Sequence, residues 1–302
     1  MKITIIRAIL LITIFLQLSA CVSLDRTKPA PTQNQSITIN YTDEELSGWS
    51  DLPVGAHRVP DSQVIVSGHQ SNGLIGVLLG PLGLVIQDTV DSSRASNNTK
   101  EARNSLNITL TNEAKKISKK LLESPEFENK FTTKNKAETP KLDVTTAVIL
   151  TFVTDTDIRP YVLLQVNMTD SNSNSIWKTR YIASSGEPKP LLGSNGWIEN
   201  GGGKLKETIS ANLKNAIEFM LTDIAQPYSR DDSKIIIAQG YFPYVRKRLQ
   251  VGGYQLLENN DYIAFLPRVG DAMIFSGVNI MGKSVTTFRT SEPDDSFFKV
   301  LD

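Results

Sequence analysis

The sequence predicts an α+β fold in which an antiparallel sheet is covered by two amphipathic helices and followed by a small all-β C-terminal domain. Three patterns lead there. Apolar side chains recur at helical spacing in two stretches, first Leu110, Ala114, Ile117 and Leu121, then Leu205, Ile209, Leu213, Ile217, Leu221 and Ile224. Between them, alternation runs from Tyr161 to Met168 and again through Trp177, Thr179 and Tyr181, with turn residues from Asp170 to Ser175, which is the pattern of a hairpin. After Ser233, short β-branched and aromatic runs follow one another between turn signals without a helical period. Helix, strands and helix in one segment allow both helices to lie on one sheet face.

The chain opens on a predicted leader. Lys2 and Arg7 form a positive end, Ala8 to Leu16 is apolar apart from Thr13, and the small residues Ser19 and Ala20 follow. A spanning helix needs about 20 apolar residues, so this run is too short to be a permanent anchor. It ends at Leu18-Ser19-Ala20-Cys21, which holds the only cysteine among 302 residues. The four residues resemble the lipobox of bacterial lipoproteins. That resemblance implies cleavage before Cys21, a diacylglyceryl group on its thiol and an acyl chain, such as palmitate, on the new amino terminus. Several acyl chains on one residue hold a protein to a membrane essentially permanently. Val22 stands where an aspartate would retain many Gram-negative lipoproteins in the inner membrane, so the resemblance implies outer-membrane attachment with the body facing the periplasm.

Composition bounds the remainder. Loss of Lys2 and Arg7 with the leader leaves 30 basic against 32 acidic side chains. A near-neutral balance argues against a nucleic-acid partner, which would call for a basic stripe. With Cys21 lipidated no disulfide is left to form, and stability has to come from burial.

Four divisions are expected: a leader at 1–20, a lipidated cysteine and tether at 21–60, an α+β domain at 61–228 and a β-rich C-terminal domain at 229–302. Pro29, Pro31, Thr32, Gln33, Asn34 and Gln35 give the tether few groups to bury, from Val22 to about Tyr41. Thr42-Asp43-Glu44-Glu45 reads as the start of a short helix reaching Trp49. Val64-Ile65-Val66 is a strand candidate before turn residues. The apolar segment 73–86 carries Gly73, Gly76, Gly80 and Gly83, is interrupted by Pro81 and reads as buried core, with a lipid- or partner-contacting face as the alternative.

Thr111 is the expected N-cap of the first helix, whose Lys115, Lys116, Lys119 and Lys120 lie between the apolar positions. Val144 to Val153 is β-branched and apolar, as in a buried strand. In the last division Ile235, Tyr262 to Leu266, Met273 to Phe275 and Val285 to Phe288 read as strands, with Gly252-Gly253 and Met281-Gly282-Lys283 as turns and Phe297-Phe298 docking last. The layout of the 61–228 division resembles the small α+β domains of several envelope lipoproteins and the N-terminal domain of the translocation protein TolB. That likeness is topological and implies a fold, not a function.

Chemistry-bearing patterns are sparse. His57 and His69, the only histidines, do not stand in a metal-ligand spacing, and no Gly-x-Ser-x-Gly elbow occurs. Gly201-Gly202-Gly203-Lys204 precedes a helix but departs from a phosphate loop at Ile198 and Leu205, and reads as a hinge. Arg246, Lys247 and Arg248, with Tyr244 and the neighbouring Tyr241 and Phe242, form the densest basic and aromatic cluster. It would suit an anionic glycan, a lipid headgroup or an acidic partner, or else it is a charged edge strand that resists aggregation. No metal, cofactor or catalytic group is expected. The sequence therefore points to a membrane-anchored envelope lipoprotein that binds or assembles with a protein or glycan. An envelope-polymer hydrolase, with Asp261 and Asp271 as its carboxylates, and a structural subunit of a ring or pore are the alternatives.

Overall fold

A computed structural model describes residues 28–44, 46, 52–53, 56–68, 102, 105–134, 139–230, 234–268 and 275–301. The leader, Cys21, the 73–86 segment, His69 and Asp271 lie outside these residues.

The strands come in the order β1 (Ile37–Thr42), β2 (His57–Arg58), β3 (Val64–Ser67), β4 (Phe131–Thr132), β5 (Lys141–Phe152), β6 (Asp157–Thr169), β7 (Ser175–Ser184) and β8 (Lys189–Pro190), then β9 (Ile235–Tyr241), β10 (Arg248–Glu258), β11 (Tyr262–Pro267), β12 (Val278–Gly282), β13 (Thr287–Thr290) and β14 (Phe298–Val300). Two α-helices stand among the described residues, α1 (Thr111–Leu121) and α2 (Gly203–Ala225). All 14 strands among the described residues belong to one sheet, whose main path runs β13-β9-β10-β11-β12-β7-β6-β5-β1-β4.

This corrects the expected fold class. The molecule is dominated by a large mixed sheet, and its strands before and after residue 229 are hydrogen-bonded into that same sheet. The link is β12, which runs parallel to β7 with Val278 opposite Tyr181 and Met281 opposite Ser184. Parallel pairs also join β1 to β5, β1 to β4 and β3 to β5. Antiparallel hairpins such as β6–β7 announce themselves in consecutive residues, whereas parallel partners lie far apart in sequence and leave no local signal.

Several elements depart from their sequence reading for identifiable reasons. Ile37, Ile39 and Tyr41 alternate with Thr38, Asn40 and Thr42, and this strand falls inside the stretch read as tether. Thr42 is its last residue and not a helix cap. Thr111 is the first residue of α1, which has no side-chain cap. Instead the Gln63 amide oxygen accepts the Leu110 N–H. Gly252 and Gly253 are not a turn but lie in mid-strand in β10. A Cβ on Gly252 would come within 2.3 Å of the Phe297 ring, and one on Gly253 within 2.5 Å of the Leu266 carbonyl oxygen. Met281 and Gly282, read as a turn, end β12.

The sheet buries both faces. On one, α2 packs on β6 and β7 while α1 packs on α2 and β1. The other is covered by the chain's own later strands: Ala147, Ile149, Tyr161, Leu163 and Ile182 share a core with Ile236, Leu249, Val251 and Phe265. Edge-to-face rings line this second core, with Phe242 against Phe265 and Phe275 at centroid distances of 6.3 and 5.9 Å. The sheet thus folds back on itself.

Two polar devices fix this arrangement. Before β1, Ala30 is buried and the Lys28 carbonyl accepts the Trp177 indole N–H at 3.3 Å, so the chain is docked on β7 from its first described residue. Under the end of α2, the fully buried Asp223 accepts the Tyr181 hydroxyl at 2.9 Å and both Arg230 Nη atoms at 3.0 Å. Phe219 stacks on Tyr228 at 5.2 Å beside this pair. Removing one partner of a buried ion pair leaves the other charge uncompensated. Asp223→Ala should therefore lower the unfolding free energy by about 3–5 kcal/mol. Tyr181→Phe, which deletes one neutral donor, should cost only about 1–2 kcal/mol. Urea titration of both variants measures the difference, and equal losses would show that Asp223 is not held as a charge.

Candidate functional site

The predicted basic and aromatic cluster does not form one surface. Tyr244 is buried at a left-handed φ of 68°, and its backbone N–H donates to Thr151 Oγ1 at 3.0 Å. Phe242 is buried in the same core, while Lys247 and Arg248 are exposed and Arg246 reaches Asp155 at 2.6 Å. The chain turns here between β9 and β10, so the Phe242 and Tyr244 rings go inward while Lys247 and Arg248 go outward. An exposed pair such as Arg246–Asp155 contributes little stability.

The other sequence candidates are also dispersed. His57 lies half-buried on β2 opposite Val66. Asp261 is exposed in the β10–β11 turn, its N–H donating to Asn259 Oδ1. Gly201 and Gly202 adopt left-handed φ values of 75° and 78° and swing the chain into α2. Among the described residues no group of three or more His, Cys, Asp or Glu side chains is placed to hold a metal.

A cleft opens elsewhere, where β1, β5 and β6 reach the β6–β7 turn. It encloses about 460 Å³ and is lined by Thr38, Ile39, Asn40, Thr133, Lys141, Asp143, Thr169 and Ser173. Register explains the lining: Thr38, Lys141 and Thr169 stand side by side on adjacent strands, as do Asn40, Asp143 and Asn167. This is the same sheet face that the later strands cover further along, and here it is left polar. Asn40 Nδ2 donates to Asp143 Oδ1 at 3.0 Å, and Thr38 and Thr139 share a hydroxyl bond of 2.8 Å. The rim is a rigid turn in which Asp170 Oδ1 accepts the N–H groups of Asn172 and Asn174. These bonds, chiefly those from Asn174, hold the Asp170 carboxyl below its usual range.

Chemically the cleft offers hydroxyls, one amide, one ammonium and one carboxylate. Among the described residues Lys141 makes no ion pair. Such a set recognises polar ligands through hydrogen bonds and provides no nucleophile held by a base. The sequence signal was present in β1 and β5, but it required knowing that the two strands pair in parallel.

A second group was missed altogether. Arg159 is fully buried and donates to Ser184 Oγ at 3.1 Å and to the Tyr241 carbonyl at 3.2 Å, with its Cζ 5.4 Å from the Tyr161 ring centroid. Its Nη2 has no partner among the described residues. Burial pushes the Tyr161 phenol up to about 12, against the pull of the Arg159 charge. This ring is thus neutral in the folded protein and serves as packing beside a cation.

No protein-family model matches this chain, and no curated protein matches its sequence.

Two expectations follow from these geometries. Lys141→Gln and Asp143→Asn change partly exposed groups, so their unfolding free energies from urea titration should stay within about 0.5 kcal/mol of the parent. A loss above about 1.5 kcal/mol would make the cleft residues structural. For Tyr161, the unfolded chain ionises near pH 10 while the folded one holds its proton to about 12. Above pH 10 the unfolded state therefore binds fewer protons, and stability falls as pH rises toward 12. Tyr161→Phe should reduce that slope in urea titrations at pH 9, 10 and 11, and an unchanged slope would assign it to other groups.

Proposed function

We propose that the chain is a lipoprotein of the cell envelope, anchored to the outer membrane through Cys21 and facing the periplasm, that acts as a binding or assembly factor. The observation that carries the binding half is the 460 Å³ cleft lined by Thr38, Asn40, Lys141, Asp143, Thr169 and Ser173. Its hydroxyls, amide, ammonium and carboxylate match the donors and acceptors of a glycan or of a polar protein segment. The anchoring half is supported by the order of positive end, apolar run, small residues and cysteine in residues 1–21. Among the described residues no helix is long and apolar enough to cross a membrane. Attachment through acyl chains requires no such helix.

Two measurements test the proposal. Cys21→Ser should move the protein from the membrane fraction to the soluble fraction of cells, and unchanged partitioning would refute the anchor. A photo-crosslinking side chain at Asn40, activated in intact cells, should yield an adduct with an envelope protein or glycan that Asp143→Asn and Lys141→Gln diminish. A crosslink pattern indifferent to both substitutions would remove the cleft from the binding reading.

A further inference from the structure

The docking of Lys28 and Ala30 limits how the folded body can sit on its membrane. Ala30 is buried, and the Lys28 carbonyl is bonded to the indole of Trp177, itself 3% exposed. Pro29 and Pro31 flank Ala30 and stiffen the docked segment. Only seven residue steps separate Cys21 from Lys28. Even fully extended, that span reaches about 25 Å, at roughly 3.3–3.6 Å per residue.

Trp177 pairs with Met168 beside the β6–β7 turn, so the docked segment meets the sheet at its hairpin end. β6 has 13 residues and spans about 40 Å to the opposite end, at roughly 3.3 Å each. That opposite end carries the β5–β6 turn at Thr154 to Thr156. If the body turned over so that this turn met the bilayer, Lys28 would stand about 40 Å above the lipid, beyond the reach of the leash.

We propose that the β6–β7 hairpin end of the body faces the bilayer that holds Cys21, and that the short leash forbids the inverted orientation. This rests on the lipid anchor proposed above. The partner surface is the lipid in which the protein's own acyl chains sit. The cleft opens at the same end, since Thr169 and Ser173 belong to that hairpin, so its ligand is met on the membrane side of the body.

Lipidation blocks the only native thiol, which makes single-cysteine labelling practicable. The full-length lipidated protein, reconstituted in phosphatidylethanolamine and phosphatidylglycerol vesicles with nitroxide-headgroup lipid, is labelled with a fluorophore at Ser171→Cys or at Thr156→Cys. Both positions are exposed turn residues. The label at 171 should be quenched several-fold more strongly than the one at 156. Equal or reversed quenching on vesicle-bound protein overturns the orientation and leaves the anchor standing. Protein that fails to float with the vesicles overturns the anchor, and the orientation with it. A 20-residue Gly-Ser insertion after Val22 lengthens the leash beyond the height of the body and should shrink the difference between the labels. A difference that persists undiminished would show that the leash does not set the orientation.

Discussion

The fold depends on the parallel pairing of β12 with β7. Without it, the strands after residue 229 would be an independent meander and one face of β5, β6 and β7 would lie bare. With it, the sheet continues through β11 and β10 and returns over its own surface, burying the second core. The pairing imposes a strict local demand at Gly277, which adopts a φ of +91° and whose Cβ would lie 2.2 Å from the Arg180 carbonyl oxygen. A side chain there would meet both backbone strain, of about 1–3 kcal/mol, and a main-chain collision that no rotamer relieves. Glycine is required because two main chains come into contact at the point where the halves of the sheet are joined.

Polar groups inside this structure divide by how well they are compensated. Asp223 and Arg230 form a bidentate pair further supported by Tyr181, and together they turn the chain out of α2 toward β9. Arg159 instead carries its charge among neutral oxygens and a ring. Desolvating a guanidinium is costly, and neutral acceptors offset it less fully than a carboxylate would. What Arg159 does provide is direction: it ties β6 to Ser184 of β7 and to the Tyr241 carbonyl at the end of β9. A hydrophobic side chain would fill the same space without specifying which strand end packs there.

The sequence was informative where partners are close along the chain. The β6–β7 hairpin, α1 and α2 follow from period and turn chemistry, because their stabilising neighbours lie within a few residues. β1 was obscured by its surroundings: the alternation of Ile37, Ile39 and Tyr41 follows directly on a proline- and glutamine-rich stretch. β12 was lost because Val278 to Gly282 is short and its partner lies about a hundred residues earlier. Gly252 and Gly253 misled for the opposite reason. Glycine marks both turns and close approaches, and only the positions of Phe297 and Leu266 distinguish them. The cleft shared this difficulty, since Thr38, Lys141 and Thr169 become neighbours only through register across three strands. For Tyr244, the positive φ that turns the ring inward leaves no trace in composition.

A polar cleft of this kind is a weak binder in free solution. Its hydrogen bonds replace bonds to water, so each contributes a net of only about 0.5–1.5 kcal/mol. Tethering alters that limit without adding a contact. Two sites joined by a short flexible span meet at an effective concentration of the order of millimolar. On the proposed anchoring, the residues from Cys21 to Lys28 confine the cleft to a thin layer above the membrane, and a ligand fixed to that membrane is confined to the same layer. Millimolar affinity then suffices for occupancy. High intrinsic affinity would need apolar burial or an enclosed pocket, neither of which this rim of hydroxyls supplies. On that proposal the docking of Ala30 and Lys28 against β7 would serve recognition as well as stability, since releasing it would lengthen the leash and dilute the cleft from a membrane-fixed ligand.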